Sequence, residues 1–257
     1  MNKLEKKYTE AALSVTRNSQ ENLAYYDELV KFYEQDNYDA LLKLRSFAVY
    51  TPRQVISDYL ARYYLFENIL NVPGSIVECG VFNGQGLMSY ANFSAILEPN
   101  NFTRKIVGFD TFGGFANVGE KDASSPNDMV KDGGMKADSF ARLSKAVELY
   151  DANRFLGHLP KVDLVKGNIM KTLDEYIESN PHLIVSLLYL DLDIYEPTKH
   201  VLQTLLKRVP KGGIVAFDEL NFKDFPGETL ALMDSLDLSS VELQRVPFCS
   251  RISYFVR

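Results

Sequence analysis

The chain has 257 residues, 46% hydrophobic and 24% charged, the make-up of an ordinary globular protein long enough to bury a sizeable core. A formal charge of −6 excludes phosphate-backbone binding as the main activity, because that needs clustered Lys and Arg, and no nucleic-acid partner is expected. Two cysteines, Cys79 and Cys249, are too few and too far apart for a disulfide framework or a zinc cluster.

The opening segment, MNKLEKKYTEAAL, is charged and has no leader-like apolar stretch, and no run of about 18 apolar residues follows anywhere. A cytoplasmic protein with no membrane partner is expected. Up to Leu70 the apolar residues recur at helical spacing: Leu23, Tyr26, Leu29, Val30 and Tyr33, then Ile56, Tyr59, Leu60, Tyr63 and Tyr64. Thr51-Pro52 fits a helix start. Residues 1–70 therefore read as a helical appendage, a candidate surface for a homo-oligomer.

After Val72-Pro73-Gly74 short apolar runs alternate with amphipathic stretches, and residues 71–257 read as one domain. The strand-like runs are Ser75–Cys79, Lys105–Phe109, Val162–Val165, Ile184–Leu190, Gly213–Phe217, Glu242–Val246 and Ser253–Val256. Several are continuously apolar, as strands covered by helices on both faces should be. The last two are joined by Pro247–Arg251, too short for a crossover, so they form an antiparallel hairpin at a sheet edge. The expected fold is α/β, a doubly wound, mostly parallel sheet ending in that hairpin. Residues 113–136, rich in Gly, Asp, Asn and Ser, read as a lid-like insertion beside the active site.

Ile76–Gly86 runs from a strand into a glycine-interrupted turn, followed by a helical stretch over Leu87–Leu97. Such a turn alone is equally a tight strand-to-helix connection without a ligand. Gly80 and Gly84 miss the dinucleotide spacing, and Glu78 would repel a pyrophosphate but receive a cationic amino group. The next strand ends on Asp110, where a carboxylate can accept hydrogen bonds from a ribose diol. Together these residues describe a nucleoside carrying an amino acid.

Leu187–Asp193 ends in Asp191 and Asp193, and the neighbouring strand ends in Asp218-Glu219. Acids converging on one rim repel one another unless a cation or proton sits among them. Carboxylate-only ligation suits a hard divalent ion such as Mg2+. The competing reading is that these acids are solvated or cap the following helices.

The motifs VPGSIVECGVFNGQG, GFDTFGGF, LVKGNIMKTL, LYLDLDIYEPT and PKGGIVAFDEL resemble, in order, those of the macrocin O-methyltransferase (TylF/MycF-like) family. The resemblance spans about Thr51 to Asn221 and implies a class I methyltransferase fold that uses S-adenosyl-L-methionine and Mg2+ to methylate a hydroxyl of a small molecule, a sugar or glycosylated metabolite. Carried over, it makes Asp193 the general base and Asp191, Asp218 and Glu219 the metal ligands. It makes Glu78, Gly80, Gly84, Asp110, Thr111 and Asp191 the cofactor contacts. The chain departs from the family in reading Asp-Leu-Asp for Asp-Gly-Asp and Asp218-Glu219 for Asp-Asp. Tyr195, just after the acids, is a candidate for the acceptor pocket. Two alternatives stay open, a metal-independent methyltransferase and a non-catalytic S-adenosylmethionine-binding domain.

Overall fold

Strands that are apolar at every position need helices above and below them, and the computed structural model, which describes residues 20–257, supplies both layers. Residues 1–19 of the predicted appendage lie outside the described residues. The chain divides into two units, Met1–Ile56 and Ser57–Arg257.

The first unit contains helices α1 (Gln20–Gln35), α2 (Ala40–Arg45) and α3 (Phe47–Tyr50) and the start of α4 (Arg53–Asn68). Asp39 caps α2 by accepting the Leu42 N–H at 2.9 Å. Tyr50 ties the unit together: its hydroxyl donates to Asp36 at 2.7 Å, and its ring packs on Phe32 and Tyr33.

In the second unit a seven-stranded sheet runs in the order β3-β2-β1-β4-β5-β7-β6. The strands are β1 (Ser75–Cys79), β2 (Ile106–Asp110), β3 (Val162–Lys166), β4 (Val185–Leu190), β5 (Ile214–Phe217), β6 (Gln244–Arg245) and β7 (Ser253–Val256). The first five are parallel, whereas β7 runs antiparallel to both β5 and β6, as the short connection requires.

Because successive side chains leave a strand on opposite faces, the continuous apolar runs feed two cores. Ile76, Ile106, Leu187, Tyr189 and Ala216 pack under α4, α5 (Gln85–Leu97) and α6 (Phe140–Asn153). Val77, Val107, Leu188, Val215 and Phe217 pack under α7 (Ile169–Ser179), α8 (Tyr195–Leu205) and α9 (Gly227–Ser235). Ala61, Leu65, Phe66 and Ile69, which periodicity grouped with the appendage, are fully buried in the first of these cores. Helix α9 was not foreseen: it is short and opens on Pro226-Gly227, residues that read as a turn.

The 113–136 insertion contains only a short 3-10 turn, Glu120–Asp122, yet it is anchored in its middle. Asp122, 2% exposed, accepts the Tyr195 N–H that opens α8 and the Gly119 N–H. Ser125 donates to the Asp224 carbonyl, and Phe115 meets Phe225 edge-on. Among the described residues, no helix is long and apolar enough to cross a membrane.

Candidate active site

Connections leave β1 in one direction towards β2 and in the other towards β4, so a crevice opens beyond the carboxyl ends of these strands. Into that rim β1 delivers Glu78 and Gly80, β2 Asp110, β4 Asp191 and Asp193, and β5 Asp218 and Glu219. The candidates that sequence reasoning singled out thus gather at one end of the sheet.

The turn after β1 is shaped by close approach. Gly80 has φ +94, and a Cβ there would stand 1.8 Å from the Asp191 carbonyl oxygen, so β1 and β4 could not keep their register with any other residue. Gly84, also left-handed, leads into α5. At Gly86 a Cβ would lie 1.8 Å from Glu78 Oε1, which explains how a carboxylate fits under the helix start.

Alternation along β1 turns Glu78 onto the face that carries Tyr189, and there it meets Arg62 from α4. The Arg62 guanidinium lies 5.0 Å from the Tyr189 ring centroid. Glu78 is 1% exposed and is bonded by the Leu87 backbone N–H, yet its Oε2 has no hydrogen-bond partner. Burial, with Asp110 and Asp218 adding to it, pushes its carboxyl up to about 8 against the opposing pull of Arg62. A buried acceptor left open beside a glycine turn is what a cationic amino group would complete.

Asp110 organises its own surroundings. Oδ2 accepts the Phe82 N–H at 2.7 Å and Oδ1 the Phe112 N–H at 2.5 Å, holding two residues with positive φ on either side of the crevice. Each oxygen keeps a lone pair for a further donor. The Thr111 hydroxyl closes the adjoining turn, donating to the Gly114 carbonyl and accepting the Gly113 N–H.

At the acid rim the protonation states diverge. Burial, reinforced by Asp218 and Asp193, drives the Asp191 carboxyl well above the usual range. Burial and then Asp218 push Asp193 up to about 7. Asp218 goes the other way: burial would raise it, but Arg251, Arg62 and the Tyr189 hydroxyl outweigh that and hold it low. The Tyr189 hydroxyl donates to Asp218 Oδ1 at 2.6 Å, and Arg251 donates to Oδ2. Arg251 Nε also lies 3.5 Å from Glu219 Oε1.

Three participants escaped the sequence reading. Arg62 had a signal, since it falls within the buried stripe of Ala61, Leu65 and Phe66 on α4, where a charge needs a reason. Arg251 had none without the register: continuing the Phe217↔Ser253 pairing two residues brings it opposite Glu219. Glu228, on the unforeseen α9, is fully buried and works through backbone. Its Oε1 accepts the Leu192 and Asp193 N–H groups and its Oε2 the Glu219 N–H, so one carboxyl group joins the ends of β4 and β5. It thereby holds Asp193 at φ +63, a conformation uncommon for a non-glycine residue. Burial, reinforced by Asp193 and Asp218, drives the Glu228 carboxyl well above the usual range, so it accepts these bonds as a largely uncharged group. Glu228→Ala is expected to destabilise the fold by about 2 kcal/mol or more, because three part-buried N–H groups lose their acceptor; urea denaturation measures it. A loss within about 0.5 kcal/mol would contradict the assignment.

Tyr195 does not face the rim. It is 4% exposed, and its hydroxyl donates to Asp234 and accepts from Lys199. As for a metal, both oxygens of Asp218 already have protein donors, and Glu219 shares Arg251. Among the described residues, no group of three or more His, Cys, Asp or Glu is placed to hold an ion. In this arrangement Asp191, Asp218 and Glu219 do not fit a metal centre.

The family model described as Macrocin-O-methyltransferase (TylF) matches residues 65–230, from the end of α4 through all five parallel strands into α9. The chain belongs to the macrocin O-methyltransferase (TylF) family. Two solved structures agree. The calicheamicin methyltransferase CalS11 superposes with a TM-score of 0.89 at 32% identity, over 93% of this chain and 94% of that one. Apo CalS11, described as a TDP-rhamnose 3'-O-methyltransferase of calicheamicin biosynthesis, gives 0.81 at 32% identity, over 93% and 96%. The O-methyltransferase NovP, at 22% identity and a TM-score of 0.54 over 79% and 80%, shares the fold. No curated sequence matches the chain.

Membership makes this chain an S-adenosylmethionine-dependent O-methyltransferase of the class I fold. The open acceptor on Glu78 and the glycine turn fit the cofactor's amino-acid part, and the remaining lone pairs of Asp110 fit its ribose. The cofactor supplies an electrophilic methyl on a sulfonium. Every other requirement of the transfer falls to the protein.

Proposed function

We propose that the enzyme methylates a sugar hydroxyl of a nucleotide sugar or glycosylated metabolite, with Asp193 as general base. The observation that carries this reading is the 32% identity to CalS11 across 93% of the chain, beside a family match over residues 65–230 that includes every strand delivering the rim acids. Asp193 takes the hydroxyl proton as the oxygen forms its bond to the methyl carbon, the carbon–sulfur bond breaks, and the electron pair stays on the departing thioether. An acid held near neutrality suits that task, being deprotonated at working pH yet basic enough to accept a proton. Glu228 keeps its backbone in place, and alignment of the two reactants supplies much of the acceleration.

Magnesium assistance is the finer reading that the resemblance implies. The pairing of Asp218 with Arg251 and Tyr189 favours the metal-independent alternative, and no step here runs through an ion. The test is transfer from methyl-labelled S-adenosylmethionine to a panel of TDP-sugars and glycosides, with and without EDTA. A labelled sugar ether is expected. Cofactor binding without label in any sugar would sink the proposal.

A further inference from the structure

Two buried groups of opposite charge type meet beneath the glycine turn, and each keeps a polar atom without a partner. We infer that Arg62 receives the carboxylate of the cofactor's amino-acid part, beside Glu78, which receives its ammonium. Arg62 comes from α4, is 6% exposed, and its Nε has no hydrogen-bond partner. Glu78 has the same shortage at Oε2. A Cβ added at Gly86 would stand 1.8 Å from Glu78 Oε1 and 3.0 Å from Arg62 Nε, so glycine lets both groups close on one point of the turn. No ion pair joins them, and the Arg62 Nη1 donates to the Asp58 carbonyl of its own helix at 3.3 Å.

A guanidinium and a carboxyl group set side by side without bonding each other are matched to a molecule that carries both opposite charges. An α-amino acid does so on a single carbon, and the cofactor ends in one. Arginine stays charged at any working pH, so proton loss cannot relieve it, and a carboxylate is the partner that its planar fork accepts best. The acid on its other side is already engaged: Asp218 is bonded by Tyr189 and Arg251. The Tyr189 ring, 5.0 Å from the guanidinium, holds Arg62 in place from below. Arg62 precedes the residues 65–230 that the family model matches, so membership assigns it no role.

The inference rests on the reading of Glu78 as the acceptor of the amino group, and its test separates the two. Two ligands are titrated into the full chain by calorimetry: S-adenosylhomocysteine and its decarboxylated analogue, which keeps the amino group. The unaltered enzyme is expected to bind the analogue roughly 30-fold more weakly, the cost of one charged hydrogen-bonded contact. R62Q should lose about the same factor for S-adenosylhomocysteine, yet bind the analogue no more weakly than the unaltered enzyme does, because arginine only repels a lone ammonium. R62K should fall between. A merely structural role for Arg62 would weaken both ligands alike. E78Q should weaken both, so a failure of the Glu78 reading shows as E78Q leaving both affinities unchanged. Equal losses for the two ligands in R62Q, or none, would overturn the inference. If R62Q does not fold, the unaltered enzyme still decides it: affinities for the two ligands within about twofold of each other would leave Arg62 no carboxylate to bind.

Discussion

Asp193→Asn should lower kcat by about two to four orders of magnitude, the usual range for losing a positioned general base, while the affinity for S-adenosylhomocysteine stays within about twofold. The substitution keeps the shape of the side chain, so the loss would report proton transfer. The unaltered enzyme carries a second signature. With Asp193 pushed up to about 7, the basic form disappears as the pH falls below that value. kcat/KM should therefore decline about tenfold per unit at lower pH, and the Asn variant should lack this limb. Full turnover in the variant, or a pH profile flat from 6 to 8, would remove Asp193 from the role.

Glu78→Gln carries the other large effect. Losing a charged hydrogen bond to the cofactor's amino group is expected to weaken binding by about 2–3 kcal/mol, or roughly 30- to 150-fold, measured by calorimetry. In the unaltered enzyme affinity should rise between pH 6 and pH 8, since it is the carboxylate that receives the amino group, and binding should release a proton; the Gln variant should show neither trend. The free enzyme gives an independent check. Burial raises the Glu78 carboxyl from an ordinary 4.5 to about 8, so its contribution to stability is fully present below the lower value and lost as the pH rises through the upper one. Without cofactor, Glu78→Gln should therefore melt higher than the unaltered enzyme at pH 8, with the advantage vanishing near pH 5. An unchanged affinity with an unchanged Tm would show that the carboxylate has neither role.

Which parts of this were legible beforehand follows from where the information resides. The strands could be read because burial on both faces leaves uninterrupted apolar runs, and Ser75–Cys79 and Ser253–Val256 were bounded correctly. The edge hairpin could be read because a parallel return needs more chain than Pro247–Arg251 provides. Helix α9 could not, because Pro226 and Gly227 carry the signal of a turn, and Glu228 was lost with it.

Residue type and spacing alone therefore determined the doubly wound sheet and the gathering of Glu78, Asp110, Asp191, Asp193, Asp218 and Glu219 at its carboxyl end, since both follow from local periodicity and the rule that parallel strands share a rim. The crowding of acids along the chain also called for a cation or a proton there. What only tertiary structure decided is which groups neutralise and orient those acids. Arg62 arrives from a helix before the first strand, Arg251 through a register set after the last parallel strand, and Glu228 by bonding backbone at two strand ends. None of these pairings lies within one element, and sequence periodicity describes one element at a time.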